Sequence, residues 1–422
     1  MKTFETIYYL KQQTPLIHFQ YNQSGATLRA TEVKPKLDRF IIDKLGGKEN
    51  VDKSWFINYE KNALNYKMKI TASGIPDVSD TLGYDIELYN FNRGKHSKEE
   101  SASFKKGLNK RFQGKMINGM YFGNQVNKDR DFVKNATDSY KETVFYHDEI
   151  SLTIICLNNE LSAKIDEYIA EFFAVNNFGT RQSKGFGGFS LKKKTSDGHD
   201  IEPYNEGNIT QLLKGKYKFF YADAVNNNAF TLANSIYTTM KTGVNRPGAG
   251  RVKGYLLYYF LEDNDIDAGS DKSLMTAELL PLGGEKKYQR YLFVRALLGL
   301  TDGYDFKINK RGKVEIQGCE KDKSGEPVIK RFPSPVTIKI VGKKVLFIFN
   351  EKLFENILGK EFVFKANGKT EKISVPDKFD VDKFISDFVY FYNQEDGEFD
   401  YCPSEISKIN GYVYSHIEEG NK

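Results

Sequence analysis

The sequence predicts an α+β protein made of two tandem ferredoxin-like (RRM-like) domains with large insertions. Up to about residue 195 the pattern runs strand, helix, strand, insertion, strand, helix, loop and strand, which fits the split β-α-β plan of such a domain. The second half has a similar rhythm with larger interruptions. With 32 Phe and 26 Tyr among 422 residues, the chain has enough apolar bulk for sizeable cores. We therefore expect one domain over residues 1–205 and a second, with helical insertions, over 206–422.

The elements of the first domain follow from periodicity and from capping signals. A β-branched and aromatic stretch from Phe4 to Leu10 is typical of a strand. Thr31 is placed to cap a helix over 31–45 that has Pro35 in its first turn and Gly46 just after its end. The other predicted elements are strands at 65–72, 84–90 and 151–157 and a helix at 159–175.

The second domain carries signals of the same kinds. The predicted elements are, in order, a strand at 217–223, a helix ending near Gly243, a stretch at 255–261 that fits helix and strand equally, a helix at 286–299, strands at 313–320, 335–340 and 344–349, and a helix at 381–392. The glycines at 248–250 lack the spacing of a dinucleotide fingerprint, and the chain has no P-loop motif.

Residues 91–148 form a poorly patterned and basic insertion in the first domain. From Phe91 to Lys134 there are eleven Lys or Arg residues and four Asp or Glu residues, so the segment carries 11 − 4 = +7, against +6 for the whole chain. Such a run is either a solvated loop or a surface that attracts phosphate. Because the net charge of the chain is small, local clusters have to indicate the partner.

Several classes of protein are excluded by the sequence. Cys156, Cys319 and Cys402 are widely spaced and form no CxxC pair, which excludes a disulfide framework and a zinc ribbon. The five histidines are equally scattered, so there is no metal motif and we expect no cofactor. No apolar run is long enough to span a membrane, and the first residues lack the apolar core of a signal peptide. We expect a cytoplasmic protein without a membrane partner.

The most informative segment is the glycine-rich loop, residues 178–190, with the lysines that follow it. Four glycines and five basic residues occur between Phe178 and Lys194, and no acidic residue does. Glycines allow a backbone to approach a phosphate and to turn its N–H groups toward it, while Arg and Lys add charge. Phe186 and Phe189 could stack on bases. The alternative is a tight turn from helix to strand that contains one or two core phenylalanines.

Two known patterns compete for this loop. KGFGGFSL (184–191) comes close to the aromatic strand of RRM domains, but Gly188 replaces the first aromatic residue and the segment follows a helix. The order helix, GTRQSKGFG, strand resembles instead the signature loop of the RAMP superfamily of CRISPR-associated RNA-binding proteins. TPLIHF and LRATEVKPKLDRFI resemble the first strand and helix of that superfamily. ALLGL (296–300) and RFPSPVTIKI (331–340) resemble paired elements of its Cmr-type subunits.

The resemblance implies an RNA-binding subunit of a type III CRISPR ribonucleoprotein that acts in antiviral defence and is not itself a nuclease. The partners that it implies are the guide RNA (crRNA), the target RNA and the other effector subunits. It also implies RNA contact for the residues that match the family's loop and first helix. These are Gly179, Arg181, Lys184, Gly185, Phe186, Gly187, Gly188, Arg29 and Lys34.

Two other functions stay open at this level. Some RAMP relatives are metal-independent endoribonucleases that process guide RNA, and His18 is the candidate general base for that chemistry. Other type III subunits cut target RNA with an acidic residue, and Asp77, Asp80 and Asp85 lie in the corresponding region. The third interpretation is an assembly adaptor that does not bind RNA, with the acidic segment 395–400 as a contact surface. A lone histidine at the end of an apolar strand more often packs than reacts, which favours a role without catalysis.

Overall fold

The computed structural model divides the chain into two units. The first contains residues 1–213 and 339–342, and the second contains 214–338 and 343–422. The division therefore follows Leu213, a few residues beyond the predicted boundary after residue 205. The residues that the structure describes are 4–16, 27–73, 77–84, 99, 115–116, 140–146, 149–194, 200–225, 229–246, 250–261, 267–280, 286–300, 303–306, 312–320, 329, 332–394 and 414–421.

The first unit combines strands with helices, as expected for an α+β protein. Its strands are β1 (Glu5–Gln12), β2 (Phe56–Asn58), β3 (Ala63–Leu64), β4 (Lys67–Ser73), β5 (Asp77–Tyr84), β6 (Lys115–Met116), β7 (Tyr140–Tyr146), β8 (Glu149–Ile155), β9 (Phe189–Lys194) and β10 (Asp200–Ile201). Its helices are α1 (Ala30–Lys44), α2 (Asn159–Val175) and α3 (Ile209–Leu213). Of the basic insertion, only residue 99, β6 and β7 fall within the described residues, so its cluster of charge is not located.

The main sheet of the first unit is antiparallel, with the strand order β10-β9-β1-β8-β4. Along the chain the elements of this layer follow as β1, α1, β4, β8, α2 and β9. Alternate residues of the strands are buried, among them Tyr8 and Leu10 of β1 and Leu152 of β8. This period of two gives the sheet one apolar face that the helices cover.

Helix α1 differs from the prediction at its start and agrees with it at its end. It begins at Ala30 with Arg29 as the capping residue, so the expectation that Thr31 is the cap was wrong, and Pro35 lies in the second turn. At the other end Gly46 has φ +85°, and its N–H donates to Asp43 O while that of Gly47 donates to Ile42 O. This pair of bonds is a Schellman motif, which satisfies the last carbonyl groups of the helix.

The two long helices of the first unit lie on the same face of the sheet. The rings of Phe40 in α1 and Phe172 in α2 meet edge to face at 5.6 Å. Lys44 of α1 forms an ion pair with the buried carboxylate of Glu171 in α2. Asn158 caps α2, since its side-chain oxygen accepts the N–H of Leu161 at 2.9 Å. The predicted helix at 159–175 is therefore confirmed at both ends.

The second unit has further sheets. Its strands are β11 (Lys218–Asp223), β12 (Asn245–Arg246), β13 (Gly250–Arg251), β14 (Ala268–Ser270), β15 (Arg290–Leu292), β16 (Gly303–Phe306), β17 (Gly312–Gly318), β18 (Val336–Val341), β19 (Lys344–Phe349), β20 (Glu361–Ala366), β21 (Lys369–Ser374) and β22 (Ile417–Glu419). Its helices are α4 (Ala229–Lys241), α5 (Tyr255–Leu261), α6 (Asp271–Leu274), α7 (Glu351–Glu355) and α8 (Val381–Asn393). One sheet has the order β18-β19-β11-β22, and a mixed sheet has the order β14-β15-β21-β20-β17-β16.

Two sequence expectations about the second unit are resolved. The ambiguous stretch 255–261 is helix α5. The helix expected at 286–299 was wrong, because this region contains strand β15 and a 3₁₀ helix from Val294 to Leu298. Strand β15 pairs in parallel with β14 and β21, which are distant along the chain. A strand of three residues is stabilised by such neighbours, and local periodicity does not reveal them.

The core of the second unit is rich in aromatic rings. Phe220 of β11 stacks on Phe347 of β19 with ring centroids 4.7 Å apart, and Phe388 of α8 lies 5.4 Å from Phe220. Tyr255 of α5 stacks on Phe391 of α8 at 4.6 Å. Aromatic pairs at such separations stabilise a core beyond the area that they bury. The closing amphipathic helix predicted at 381–392 is thus confirmed as α8, with its aromatic stripe inward.

One lysine is fully buried in the first unit. Lys339 lies in the last part of β18, in the segment 339–342 that belongs to the first unit, and it has no exposed surface. Its ammonium group donates to three carbonyl oxygens: Phe173 O at 2.7 Å, Asn176 O at 2.9 Å and Phe189 O at 3.3 Å. The first two acceptors lie at the carboxyl end of α2, where a cation is favoured, and the third opens β9. An ammonium has three donors, so one side chain satisfies all three oxygens.

Replacing this lysine should lower the stability of the protein. We expect Lys339→Met to reduce the free energy of unfolding by about 3 kcal/mol, because each buried acceptor left without a donor costs about 1–3 kcal/mol and loss of the buried charge returns part of that sum. Chemical denaturation at pH 6 measures the change. The matched control is Lys352→Met at an exposed position, and equal losses in the two variants would contradict the role assigned to Lys339.

The same group should make stability depend on pH in a predictable direction. Burial lowers the pKa of Lys339 from 10.5 to about 7. Between these two values the unfolded chain binds more protons than the folded chain, so the free energy of unfolding contributed by this residue rises with pH across that window. We expect the stability difference between the parent and Lys339→Met to widen from pH 7 to pH 9. A difference that narrows over this range would overturn the assignment.

Candidate nucleic-acid interface at the glycine-rich loop

The glycine-rich loop connects α2 to β9 and lies against the end of β1. The N–H of Gly187 donates to Pro15 O at 2.7 Å, and the N–H of Gly188 donates to the hydroxyl of Thr14 at 2.7 Å. In return, the N–H of Gln13 donates to Gly188 O at 2.8 Å. The carboxyl end of the loop is therefore hydrogen-bonded to the residues that follow the first strand.

Gly187 is required by a close approach within the protein. Its φ is +69°, and a Cβ at this position would lie 1.8 Å from the carbonyl oxygen of Phe178. The N–H of Phe178 also donates to Gly187 O at 2.9 Å. Only a residue without a Cβ fits there. The reason for glycine at this position is thus a backbone contact inside the loop.

The proposed phosphate cradle of backbone N–H groups is corrected by these contacts. The N–H groups of Gly187 and Gly188 are used within the protein, and that of Gly185 faces Gln182 O at 3.4 Å. The N–H of Gly179 donates to a carboxylate oxygen of Glu32 at 2.6 Å. An N–H group that already has an internal acceptor does not offer its hydrogen to a phosphate. In this fold, the four glycines shape the loop without presenting their own N–H groups.

The expected stacking of bases on phenylalanines is also corrected. Phe186 and Phe189 have no exposed surface. Phe189 joins an aromatic cluster in which its ring lies 6.1 Å from that of Phe178, which in turn lies 5.7 Å from Phe173. Rings in such a core anchor the loop on the sheet. The alternative interpretation of these residues, a turn with core phenylalanines, is the one that the structure supports.

Lys34 has a structural role. Its ammonium group donates to a carboxylate oxygen of Asp38 at 2.7 Å and to Leu64 O at 2.9 Å, and it lies 4.1 Å from the centre of the Tyr66 ring. Burial raises the pKa of Asp38, although its bond with Lys34 acts in the opposite direction. Lys34 thus compensates a buried carboxylate, and the expectation that it contacts RNA is not supported by its position.

The neighbouring lysine holds the loop instead. The ammonium group of Lys36 donates to Asn177 O at 3.1 Å and to the side-chain oxygen of Gln182 at 2.5 Å, and it lies 3.5 Å from Glu32. Burial lowers its pKa, against the attraction of Glu32. Glu32 and Lys36 are four residues apart on α1, a spacing that places both side chains on one face. That spacing is visible in the sequence, but the contact with the loop is not.

Four basic residues lie where the loop meets α1, and we refer to them as the basic rim. Arg29 and Arg39 are exposed, while Arg181 and Lys184 are partly exposed. Helical spacing puts Arg39 on the side of Glu32 and Lys36, which contact the loop, and Arg29 precedes that side by one turn. Arg181 and Lys184 flank Gln182, the residue that Lys36 binds. The basic rim therefore contains Arg29, Arg181 and Lys184 of the predicted RNA-binding set, together with Arg39, and all four have access to solvent.

In the second unit, the ALLGL (296–300) and RFPSPVTIKI (331–340) motifs lie next to each other. Leu300 and Phe332 pair through two backbone hydrogen bonds of 2.9 and 3.3 Å. Gly299 has φ +100°, and a Cβ on it would lie 3.2 Å from Ser334 Cα. The LLGL and SPV segments are thus direct neighbours. Lys241 donates to Leu298 O at 2.7 Å and to Gly299 O at 3.2 Å, and burial lowers its pKa to about 8.

A buried ion pair supports the same region. The carboxylate of Asp271 is 1% exposed and accepts the Nε–H of Arg295 at 2.9 Å, together with a second bond from the guanidinium group. Arg295 lies in the 3₁₀ helix that leads into Leu298. The pair therefore fixes the approach to the LLGL segment.

The catalytic candidates are not placed by the structure. His18 and Asp85 lie outside the described residues, and no side chain is described for Asp77 or Asp80 in β5. In the part of the chain that is described, no cluster of His, Cys, Asp and Glu residues could hold a metal ion. The helices within that part include none that is long and apolar enough to cross a membrane.

Comparison with known proteins places the chain beside one family. The model of the Cmr1 N-terminal domain matches residues 3–244, and that of the Cmr1 C-terminal domain matches residues 251–401. Among solved structures, the chain is similar to the apo form of Cmr1 from Pyrococcus furiosus, with 10% identity over 82% of this chain and 87% of that one and a TM-score of 0.36. No curated protein matches the chain.

The geometry of Gly187 predicts that Gly187→Ala destabilises the protein more than Gly46→Ala does. We expect Gly187→Ala to lower the free energy of unfolding by more than about 2 kcal/mol, because a positive φ costs an L-residue about 1–2 kcal/mol and a clash with a carbonyl oxygen is added. Gly46→Ala is the control, since its φ is +85° but its nearest new neighbour is the flexible side chain of Asn50 at 3.0 Å. Urea denaturation of both variants measures the losses. Similar losses would show that Gly187 is not constrained by Phe178.

Proposed function

The chain belongs to the Cmr1 family, and we propose that it is an RNA-binding subunit of a type III CRISPR ribonucleoprotein effector. Membership of this family indicates a subunit of a multi-subunit type III complex, whose other subunits are then its protein partners. In the proposed role the chain contacts the backbone of guide RNA, target RNA or both, in antiviral defence. The observation that carries the RNA contact is the basic rim beside the glycine-rich loop.

We further infer that each unit contains one ferredoxin-like domain. The strand order β9-β1-β8-β4 in the first unit, with α1 after β1 and α2 after β8, supports this inference. In the second unit the order β22-β11-β19-β18 repeats the scheme, with α4 after β11 and α8 before β22. Both follow the succession β-α-β-β-α-β of the split plan. The mixed six-stranded sheet is then built from two insertions of the second domain, one between α4 and β18 and one between β19 and α8.

The electrostatics of the loop support contact with phosphate. Between Phe178 and Lys194 the chain carries no acidic residue. The carboxylate of Glu32, which contacts the loop, accepts the N–H of Gly179 and lies 3.5 Å from the ammonium of Lys36. Arg181 and Lys184 add two positive charges to this segment. Cations on a protein surface bind nucleic acids by releasing the counterions of the phosphates.

In this proposal the loop acts through the side chains at its tip. Its backbone is held by α1, by the end of β1 and by Lys339, so the tip has a fixed position. Arginine and lysine side chains reach phosphates over several ångströms and tolerate any base sequence. The proposed contact consequently positions RNA and does not read its bases. That property suits a subunit that has to accept guides and targets of varied sequence.

Removing the charges at the tip should change the salt dependence of RNA binding. For the double variant Arg181→Ala and Lys184→Ala we expect the slope of log Kd against log salt to fall by about 1.4, which is about 0.7 for each lost phosphate contact with single-stranded RNA. The slope is measured by fluorescence anisotropy at several salt concentrations. The change should be the same for two RNAs of unrelated sequence, because phosphate contacts carry no direct base information.

A control variant separates local from overall charge. Lys352→Ala with Lys378→Ala removes the same two charges from exposed positions in the second unit. We expect this variant to keep the parent's slope within experimental error. If the two double variants shift the slope equally, the effect belongs to net charge alone. If the rim variant binds both RNAs like the parent at every salt concentration, the rim does not contact RNA.

A further inference from the structure

The face of the first unit's sheet that points away from α1 and α2 carries exposed apolar side chains. Strand residues alternate between faces, so Tyr8 and Leu10 are buried under the helices while Ile7 and Tyr9 project from the other side. Ile7 is 47% exposed, and Ile155, on the neighbouring β8, is 41% exposed. An antiparallel sheet with one solvated face normally presents polar residues there. Exposed isoleucines on this face therefore indicate a surface that is covered in use.

The register of the strands places cations around these apolar side chains. Tyr9 lies opposite Ser151 on one side and opposite Lys192 on the other. Two residues along, Ile7 lies opposite Thr153, which is paired in turn with Lys69. In the next row Ile155 is flanked by Glu5 and Lys67. Rows two residues apart are about 7 Å from each other, so the tyrosine, the isoleucines and the lysines form one surface.

The composition of this surface favours RNA over a protein partner. Among the described residues of these three rows there are three lysines, at positions 67, 69 and 192, and one carboxylate, at position 5. Lysine is depleted at the centres of protein interfaces. By contrast, surfaces for single-stranded nucleic acid combine cations with a ring on which a base can stack. Lys67 and Lys69 lie on β4, an edge strand of this sheet, where lysines also discourage strand pairing. Lys192 lies on β9, inside the order of strands, and is paired with Tyr9 of β1.

We propose that this face is a second RNA-binding surface, which takes an unpaired segment of RNA with a base stacked on Tyr9 and the phosphates on Lys69 and Lys192. The proposal rests on the RNA-binding function inferred above, and it uses residues separate from the basic rim. The exposed methyl groups of Ile7 and Ile155 pack against the neighbouring bases or riboses. Contacts of this kind are sequence-tolerant, because every base has a π-face.

The test compares variants of Tyr9 in the full-length protein. The probe is a fluorescently labelled, unstructured oligonucleotide of uridine and adenosine, and binding is measured by anisotropy. We expect Tyr9→Leu to weaken binding about tenfold, because stacking of one base on an aromatic ring is lost. Tyr9→Phe keeps the ring and should bind within about twofold of the parent. Lys69→Gln should lower the salt slope by about 0.7. Tyr390→Leu, at an exposed tyrosine of the second unit, is the matched control and should bind like the parent.

A second measurement does not depend on how well the variants fold. Photocrosslinking of a 4-thiouridine oligonucleotide to the parent protein should label the peptide that contains Tyr9. Absence of crosslinks from this peptide, or parental affinity of Tyr9→Leu, would overturn the proposal. The proposal would also be overturned if Ile7→Ser and Ile155→Ser changed the copurification of other effector subunits but left RNA affinity unchanged. The face would then bind protein.

The outcomes also separate this inference from the proposed function. If Tyr9→Leu binds like the parent while the double variant of Arg181 and Lys184 has a reduced salt slope, this face of the sheet is not used and the basic rim still binds RNA. If the parent protein itself binds neither this probe nor other RNAs, the proposed function and the inference both fail.

Discussion

A single buried ammonium group holds both ends of the glycine-rich loop. Lys339 bonds to the carbonyl oxygens of Phe173 and Asn176, where α2 ends, and of Phe189, where β9 begins. The last carbonyls of a helix have no partner within the helix, and in a protein interior they have no water either. Burying a charge is costly, and the lowered pKa of Lys339 reflects that cost. Three oxygens and a helix end that favour a cation offset it, and the loop departs from this fixed base.

From that base, the loop is shaped by contacts that use up its own polar groups. The N–H of Gly179 donates to Glu32, and that of Gly187 donates to Pro15 O. The ammonium group of Lys36 donates to Asn177 and Gln182. A loop that satisfies its backbone internally is rigid, and it has little left with which to form a nest for anions. Its glycines therefore allow the conformation of the loop, and any contact with RNA is made by the charged side chains at its tip. The same division applies in the second unit, where Lys241 and the Asp271–Arg295 pair hold the LLGL segment from within.

Part of this architecture could be predicted because local signals and tertiary packing agree. Helix α2 has an asparagine cap and apolar residues at helical spacing, and it occurs where the pattern placed it. The same is true of α8, whose aromatic stripe faces the core. The local pattern and the structure disagree where pairing with a distant strand stabilises the element. Strand β15 is the example, because the pattern predicted a helix there. The pattern and the structure also disagree at the start of α1, where Arg29 rather than Thr31 precedes the first turn.

The sequence by itself determined many of the elements, their order and the place of the glycine-rich loop between a helix and a strand. It also indicated the family, because the LLGL and SPV segments and the loop occur in the right order. Only the tertiary structure decided what each loop residue does. Phe186 and Phe189 could have faced RNA or the core, and Lys34 could have met phosphate or Asp38. A side chain's role depends on neighbours that are far away in the sequence. Lys339 is an example, because it lies more than 160 residues after the start of α2. The sequence of its strand does not indicate that three carbonyl groups surround its ammonium group.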